Sequence, residues 1–236
     1  MAWLRYVGKA VVRILPRRTG MGRTIIKVLL ADDHSLVRTG IKGILERSPD
    51  IRVVAEASDG QEALEQYKAV HPDVVILDIS MPNMDGLETT KSILAADPQA
   101  QILILTMYPE RQYAVRALKA GALGYITKGT STAELHNAVR SVAARKRFLS
   151  EEGIDAVTTR LLAGGPSASL IENLSDRELQ VLCMIARGRR IIEIADELSV
   201  GAKTVETYRG RLLRKLGLRN NADICRFAYD NALVED

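Results

Sequence analysis

Asp32, Asp33, Asp78, Thr106 and Lys128 are the residues whose types and spacing could do chemistry together. Each lies at the carboxyl end of an apolar run, as in "VVILDISMPNMDGLE", where Val74–Leu77 lead into Asp78. Three acids brought together repel one another unless a cation lies among them. All-oxygen ligands without His or Cys favour a hard ion, and Mg²⁺ needs only about two protein carboxylates plus waters. Asp33 and Asp78 are the expected direct ligands, joined by the Ser80 main-chain carbonyl, with Asp32 acting through water. An aspartate beside such an ion can attack a phosphoryl group as a covalent nucleophile. The transferring oxygens then need neutralising, which the ion and Lys128 would do, and the Thr106 hydroxyl can bond one of them. Each residue alone has a plainer reading, since a strand-end acid is usually a turn or cap residue. Their joint occurrence at successive strand ends carries the inference.

A second constellation is basic. Residues 203–219 hold Lys203, Arg209, Arg211, Arg214, Lys215 and Arg219 against one acid, Glu206. With Val205, Leu212 and Leu216 on one side of a helical wheel, Lys203, Thr207, Gly210 and Arg214 fall opposite, flanked by Glu206 and Arg211. A basic helix face is more often merely solvated. Here a short helix (191–198) and the tight turn "SVGA" precede it, which makes a helix-turn-helix whose second helix would enter a DNA major groove.

The elements that must position these groups are legible from periodicity. Five continuous apolar runs, Ile25–Asp33, Ile51–Ser58, Asp73–Ile79, Gln101–Met107 and Gly124–Lys128, are rich in Val, Ile and Leu, as buried parallel strands are. Helical stretches near 35–47, 60–71, 85–97, 110–120 and 131–146 alternate with them. Five βα units predict a doubly wound, flavodoxin-like domain with a five-stranded parallel sheet in the order 2-1-3-4-5. That order makes strands 1, 3, 4 and 5 neighbours and brings the polar strand ends together. A short helix near 150–162 and the Gly-Gly-Pro-Ser stretch then read as linker. Beyond Leu174 helix signals dominate, opening with the capping box "SDRE" (Ser175–Glu178). Helices near 176–187, 191–198, 202–216 and 220–231 predict a small all-α four-helix domain. The expected divisions are 1–23, 24–147, 148–173 and 174–236.

Composition agrees with a globular chain, at 47% hydrophobic and 26% charged residues. No window approaches the roughly 18 consecutive apolar residues of a membrane span. Cys183 and Cys225 read as core thiols of a reducing, cytoplasmic compartment. Residues 1–18 carry Arg5, Lys9, Arg13, Arg17 and Arg18 and no acid, with Trp3, Leu4, Val7, Val11 and Leu15 on one helical face. The expectation there is a disordered tail, with translation starting at Met21, against the alternative of an interfacial helix on anionic lipid.

"VLLADDHSLVRTGI", "VVILDISMPNMDGLE" and "ILILTMYPERQYAVRALKAGALGYITKG" resemble the receiver domain of two-component response regulators. "LSDRELQVLCMIARGRRIIEIADELSVGAKTVETYRGRLLRKLGL" resembles the LuxR/FixJ-type DNA-binding domain, and the order of the two is that of NarL/FixJ-type regulators. The resemblance implies that a histidine kinase phosphorylates Asp78. It also implies that Asp32 and Asp33 form the acidic pair at Mg²⁺, and that Thr106, Lys128 and Tyr125 are the switch residues. Lys203, Thr204, Glu206, Thr207, Gly210, Arg211 and Arg214 become the expected contacts to double-stranded DNA. The sequence departs from the pattern at Met107 and Gly129, and at Arg189-Arg190, Gly201 and Tyr208. The expected function is a non-enzymatic regulator whose phosphorylation controls homodimerisation and sequence-specific DNA binding, through release of the DNA-binding helices or through dimer formation. A phosphorylation-independent interaction protein and an aspartyl-phosphate phosphatase are the competing readings.

Overall fold

The computed structural model describes residues 25–162, 170–171, 173–231 and 233–234; the expectations for residues 1–23 lie outside them. Strands β1 (Ile26–Ala31), β2 (Ile51–Ala57), β3 (Val74–Leu77), β4 (Ile102–Thr106) and β5 (Gly124–Thr127) form one parallel sheet in the order β2-β1-β3-β4-β5. Every residue of β3 and β4 is buried, which is why these strands read as unbroken apolar runs rather than alternating ones. Helices α1 (Ser35–Leu45), α2 (Gly60–Val70), α3 (Gly86–Ala96), α4 (Glu110–Ala120) and α5 (Thr132–Ala143) follow the strands in turn. Side chains cap three of these starts, while α1 and α4 have no side-chain cap: Asp59 accepts from Glu62 N–H, Asp85 from Leu87 and Glu88 N–H, and Ser131 from Glu134 N–H.

The sheet divides the apolar interior in two. One cluster, with Val28, Leu30, Ile76, Leu103 and Val139, lies under α1 and α5. The other, with Leu29, Leu77, Ile104 and Tyr113, lies under α2, α3 and α4 and runs on without a break into the C-terminal helices through Leu174, Leu179 and Cys183. Helix α6 (Glu151–Leu162) packs along α4. Helices α7 (Asp176–Ala186), α8 (Ile191–Glu197), α9 (Ala202–Leu216) and α10 (Asn221–Asp230) then pack around Leu182, Ile194, Val205, Leu212 and Ile224. The capping box at Ser175 and Glu178 forms, and the Lys215 ammonium adds a 2.6 Å ion pair to Glu178 that ties α9 to α7.

Both halves are docked. Arg116 on α4 donates to the carbonyls of Ile171 and Leu174 and makes a 2.7 Å ion pair with Asp176. Arg177 donates to the Met81 carbonyl, and the Gln112 side-chain amide donates to the Leu233 carbonyl. The Gly-Gly-Pro-Ser stretch, read as linker, lies outside the described residues; Arg116, Arg177 and Gln112 supply specific polar contacts around an apolar seam, including the fully buried Tyr113.

Candidate phosphoacceptor and DNA-reading sites

Parallel strands end on the same edge, so β1, β3, β4 and β5 deliver Asp32, Asp78, Thr106 and Lys128 to one place. Asp32 and Asp78 are 1% and 4% exposed, unusually buried for acids. The Lys128 ammonium lies between them, 2.7 Å from Asp32 Oδ2 and 2.6 Å from Asp78 Oδ2. Burial pushes the Asp78 carboxyl above its ordinary value, against the pull of Lys128 and Thr106; Asp32 pushes the same way as burial. Burial alone would lower Lys128, but Asp78 and Asp32 outweigh it and hold the amine charged. Thr106 Oγ1 is close enough to Asp78 to favour its charged form, yet neither it nor the buried Asp78 Oδ1 makes a well-formed hydrogen bond. Buried polar atoms are normally satisfied, so two unsatisfied ones on neighbouring strands mark a place for an incoming polar group.

The loop after Asp78 turns sharply. A Cβ on Gly86 would lie 2.1 Å from the Asp78 carbonyl oxygen, so only glycine allows α3 to start so close to the acid. Ser80 lies in this loop with its side chain beside the Tyr108 phenol. Tyr125 is fully buried and its hydroxyl donates to the Tyr108 carbonyl at 2.8 Å. Met107, next to Thr106, is 73% exposed.

The donor set fits a hard divalent ion. Asp32, Asp33 and His34 offer ligand atoms within 4.8 Å of one another, whereas Asp78 is not part of that group and its Oδ2 is taken by the Lys128 ammonium. His34 was not singled out by sequence reasoning; its position directly after the acidic pair was the available signal. Its Nδ1 lies 2.7 Å from Asp33 Oδ1, and its backbone N–H donates to Asp32.

In the C-terminal half, Val205, Leu212 and Leu216 are the buried residues of α9. Lys203, Thr204, Glu206, Thr207, Gly210, Arg211 and Arg214 are all exposed on it, in the docked chain. The Thr207 hydroxyl donates to the Lys203 carbonyl, and Glu206 pairs with Arg209 at 3.3 Å. Gly201 starts α9 without a side-chain cap.

Residues 28–140 match the family described as "Response regulator receiver domain", and residues 172–228 match "Bacterial regulatory proteins, luxR family". The chain is 36% identical over 209 residues to response regulator UvrY of Escherichia coli K12, covering 89% of this chain and 96% of that one. It is 35% identical over 211 residues to response regulator GacA of Pseudomonas aeruginosa, covering 89% and 99%. This chain is a NarL/FixJ-type two-component response regulator. Its receiver is the α/β half and its LuxR-type DNA-binding domain the helical half. Among solved structures, this response regulator is similar to RcsB from Salmonella enterica serovar Typhimurium bound to promoter rprA in the presence of phosphomimetic BeF₃⁻. The identity is 25%, the TM-score 0.58, and 86% of this chain and 98% of that one are covered. Among the described residues of the regulator, no helix is long and apolar enough to cross a membrane.

Proposed function

We propose that Asp78 is the phosphoacceptor of this response regulator, that a histidine kinase in the cytoplasm supplies the phosphoryl group, and that phosphorylation sets how the chain dimerises on double-stranded DNA. One observation carries the reading: the buried carboxylate with an unsatisfied oxygen belongs to the same loop that the DNA-binding domain grips, through Arg177 on the Met81 carbonyl. Asp78 forms the new O–P bond as the N–P bond of the kinase phosphohistidine breaks. Lys128 and the Thr106 hydroxyl then take phosphoryl oxygens, and Mg²⁺ held by Asp32, Asp33, Asp78 and the Ser80 carbonyl would neutralise the rest. Lys128 must leave Asp32 for this, and movement of Thr106 carries the Met107–Glu110 segment into α4.

The exposed α9 face refines the expectation that phosphorylation frees the DNA-binding helices. Lys203, Arg211 and Arg214 already face solvent in the docked chain. What docking covers is one side of α4, where Glu110 is bonded by Ser150 under α6 and Gln112 donates to the Leu233 carbonyl. The controlled step is therefore undocking of the receiver from α6 and α7, which leaves two chains free to pair and present two α9 helices at a fixed spacing.

Two results test this. Arg116→Ala removes three polar contacts between the domains. It is expected to separate the labelled domains without any phosphoryl mimic, to an extent that beryllofluoride with Mg²⁺ reaches in the parent chain. Unchanged domain distances in both experiments would sink the proposal. Lys128→Met leaves Asp32 and Asp78 without their bridging cation. Calorimetry is expected to find Mg²⁺ bound about tenfold tighter or more, since each unit of lost competition is about 1.4 kcal/mol, while phosphoryl uptake falls. Weaker Mg²⁺ binding would place the lysine as a support of the metal site instead of its competitor.

A further inference from the structure

Glu110 begins α4, and its side chain is only 3% exposed because α6 lies over it. The Ser150 hydroxyl donates to Glu110 Oε2 at 2.8 Å and accepts from Gly153 N–H at 3.1 Å, so one hydroxyl joins the carboxylate to the first turn of α6. The approach is close enough that a Cβ on Gly153 would lie 1.9 Å from Glu110 Oε2. The charged groups that bear most on Glu110 are themselves acids: Glu152 on α6, which Arg111 of α4 meets at 3.3 Å, and Glu134 on α5. From β5 the buried Tyr125 faces it. A carboxylate buried among acids, with a hydroxyl as its bonding partner, is costly when ionised.

We propose that Glu110 is a charge-loaded clasp between the switch helix α4 and the linker helix α6, holding α6 down when protonated and driving it off when ionised. Burial, Glu152 and Glu134 all lift the docked carboxyl above its ordinary value, and the Ser150 bond only partly opposes them. Once α6 lifts, water reaches the group and its ordinary acidity returns. The docked arrangement therefore has its full advantage below the ordinary carboxylate value and loses it as pH rises through the docked value. Each unit between the two changes the docked-to-open ratio about tenfold. Glu110 lies four residues beyond Thr106, so a shift of the switch threonine moves the clasp directly. The regulator would then answer to acidity as well as to phosphorylation, with acid favouring the docked state. That last step rests on the proposal that phosphorylation separates the domains.

Hydrogen exchange of the α6 amides in the full-length protein, corrected for intrinsic pH dependence, reads the clasp directly. Between about pH 5 and pH 8, protection in the parent chain is expected to fall about tenfold or more. Glu110→Gln keeps an acceptor for Ser150 without the charge, and should hold α6 protected across the whole range. Gly153→Ala puts a methyl where the Glu110 carboxylate lies, so the flexible end of Glu110 must leave its Ser150 bond; the pH response of α6 should then flatten while Asp78 still takes a phosphoryl group from a small phosphodonor. A Glu110→Gln profile that tracks the parent, or a Gly153→Ala profile that keeps the parent's pH response, would overturn the clasp. If the pH arm behaves as expected but beryllofluoride fails to expose α6, the phosphorylation reading fails and the clasp stands.

Discussion

Asp78→Asn is expected to abolish phosphoryl uptake entirely, from a kinase or a small phosphodonor, while leaving the fold and basal DNA affinity in place. An amide cannot act as the nucleophile, and the neighbouring Asp32 is held by Lys128 and by the His34 N–H. The change is nearly isosteric at a side chain that is 4% exposed. Burial already disfavours the charged form of Asp78, so removing the charge relieves a cost, although Lys128 keeps only Asp32 as its partner. The melting temperature should therefore move by a few degrees at most, in contrast to the collapse expected for a core residue such as Leu77. Phosphate-affinity electrophoresis and thermal melting measure the two outcomes. Residual label on the Asn variant would assign the acceptor to another residue, with Asp33 next in line.

The sheet was legible because β3 and β4 are buried on both faces, and such strands announce themselves as unbroken Val-Ile-Leu runs, whereas the order 2-1-3-4-5 leaves no mark in those runs and enters as a condition. Once the order was in hand, the meeting of Asp32, Asp78 and Lys128 followed from strand polarity. The helix starts were legible for a local reason: Ser175 and Glu178 form the cap that their spacing encodes. The joining of the two halves was not. Arg116 and Arg177 look like ordinary surface arginines on amphipathic helices, and their partners are main-chain carbonyls of Ile171, Leu174 and Met81, which have no sequence signature. Tyr113 could be read as apolar, but whether its neighbours came from the sheet or from α7 depends on contacts far apart in the chain. Glu110 is the sharpest case. An acid in the first turn of a helix is favoured by the helix dipole and reads as exposed, yet a linker helix with glycine at position 153 lies directly on it.

The largest effect on DNA is expected from the double change Lys203→Ala, Arg211→Ala. Both residues are exposed on α9, one in its first turn and one past its middle, and among the described residues neither has an ion pair. Arg209 is different: it is held by Glu206 and by Asn221, so its charge is partly spent within the domain. Two free cations facing phosphate should contribute counterion release of about 0.9 each to the salt slope. The double variant should lose about two units of that slope and bind at least tenfold more weakly at low salt, with the gap closing as salt rises. The buried side of α9, built on Val205, Leu212 and Leu216, is untouched, so helical content and melting should match the parent. The control is Arg226, which is exposed on α10 and faces Asp230 at 3.7 Å. Its replacement by Ala should alter the salt slope little unless α10 also meets the backbone. Equal losses from the two helices would mean that charge alone, spread over the domain, holds the DNA. A loss confined to Lys203 and Arg211 would mean that α9 lies in the groove, and the docked receiver, which leaves that face open, then governs the spacing of two such helices more than the grip of one.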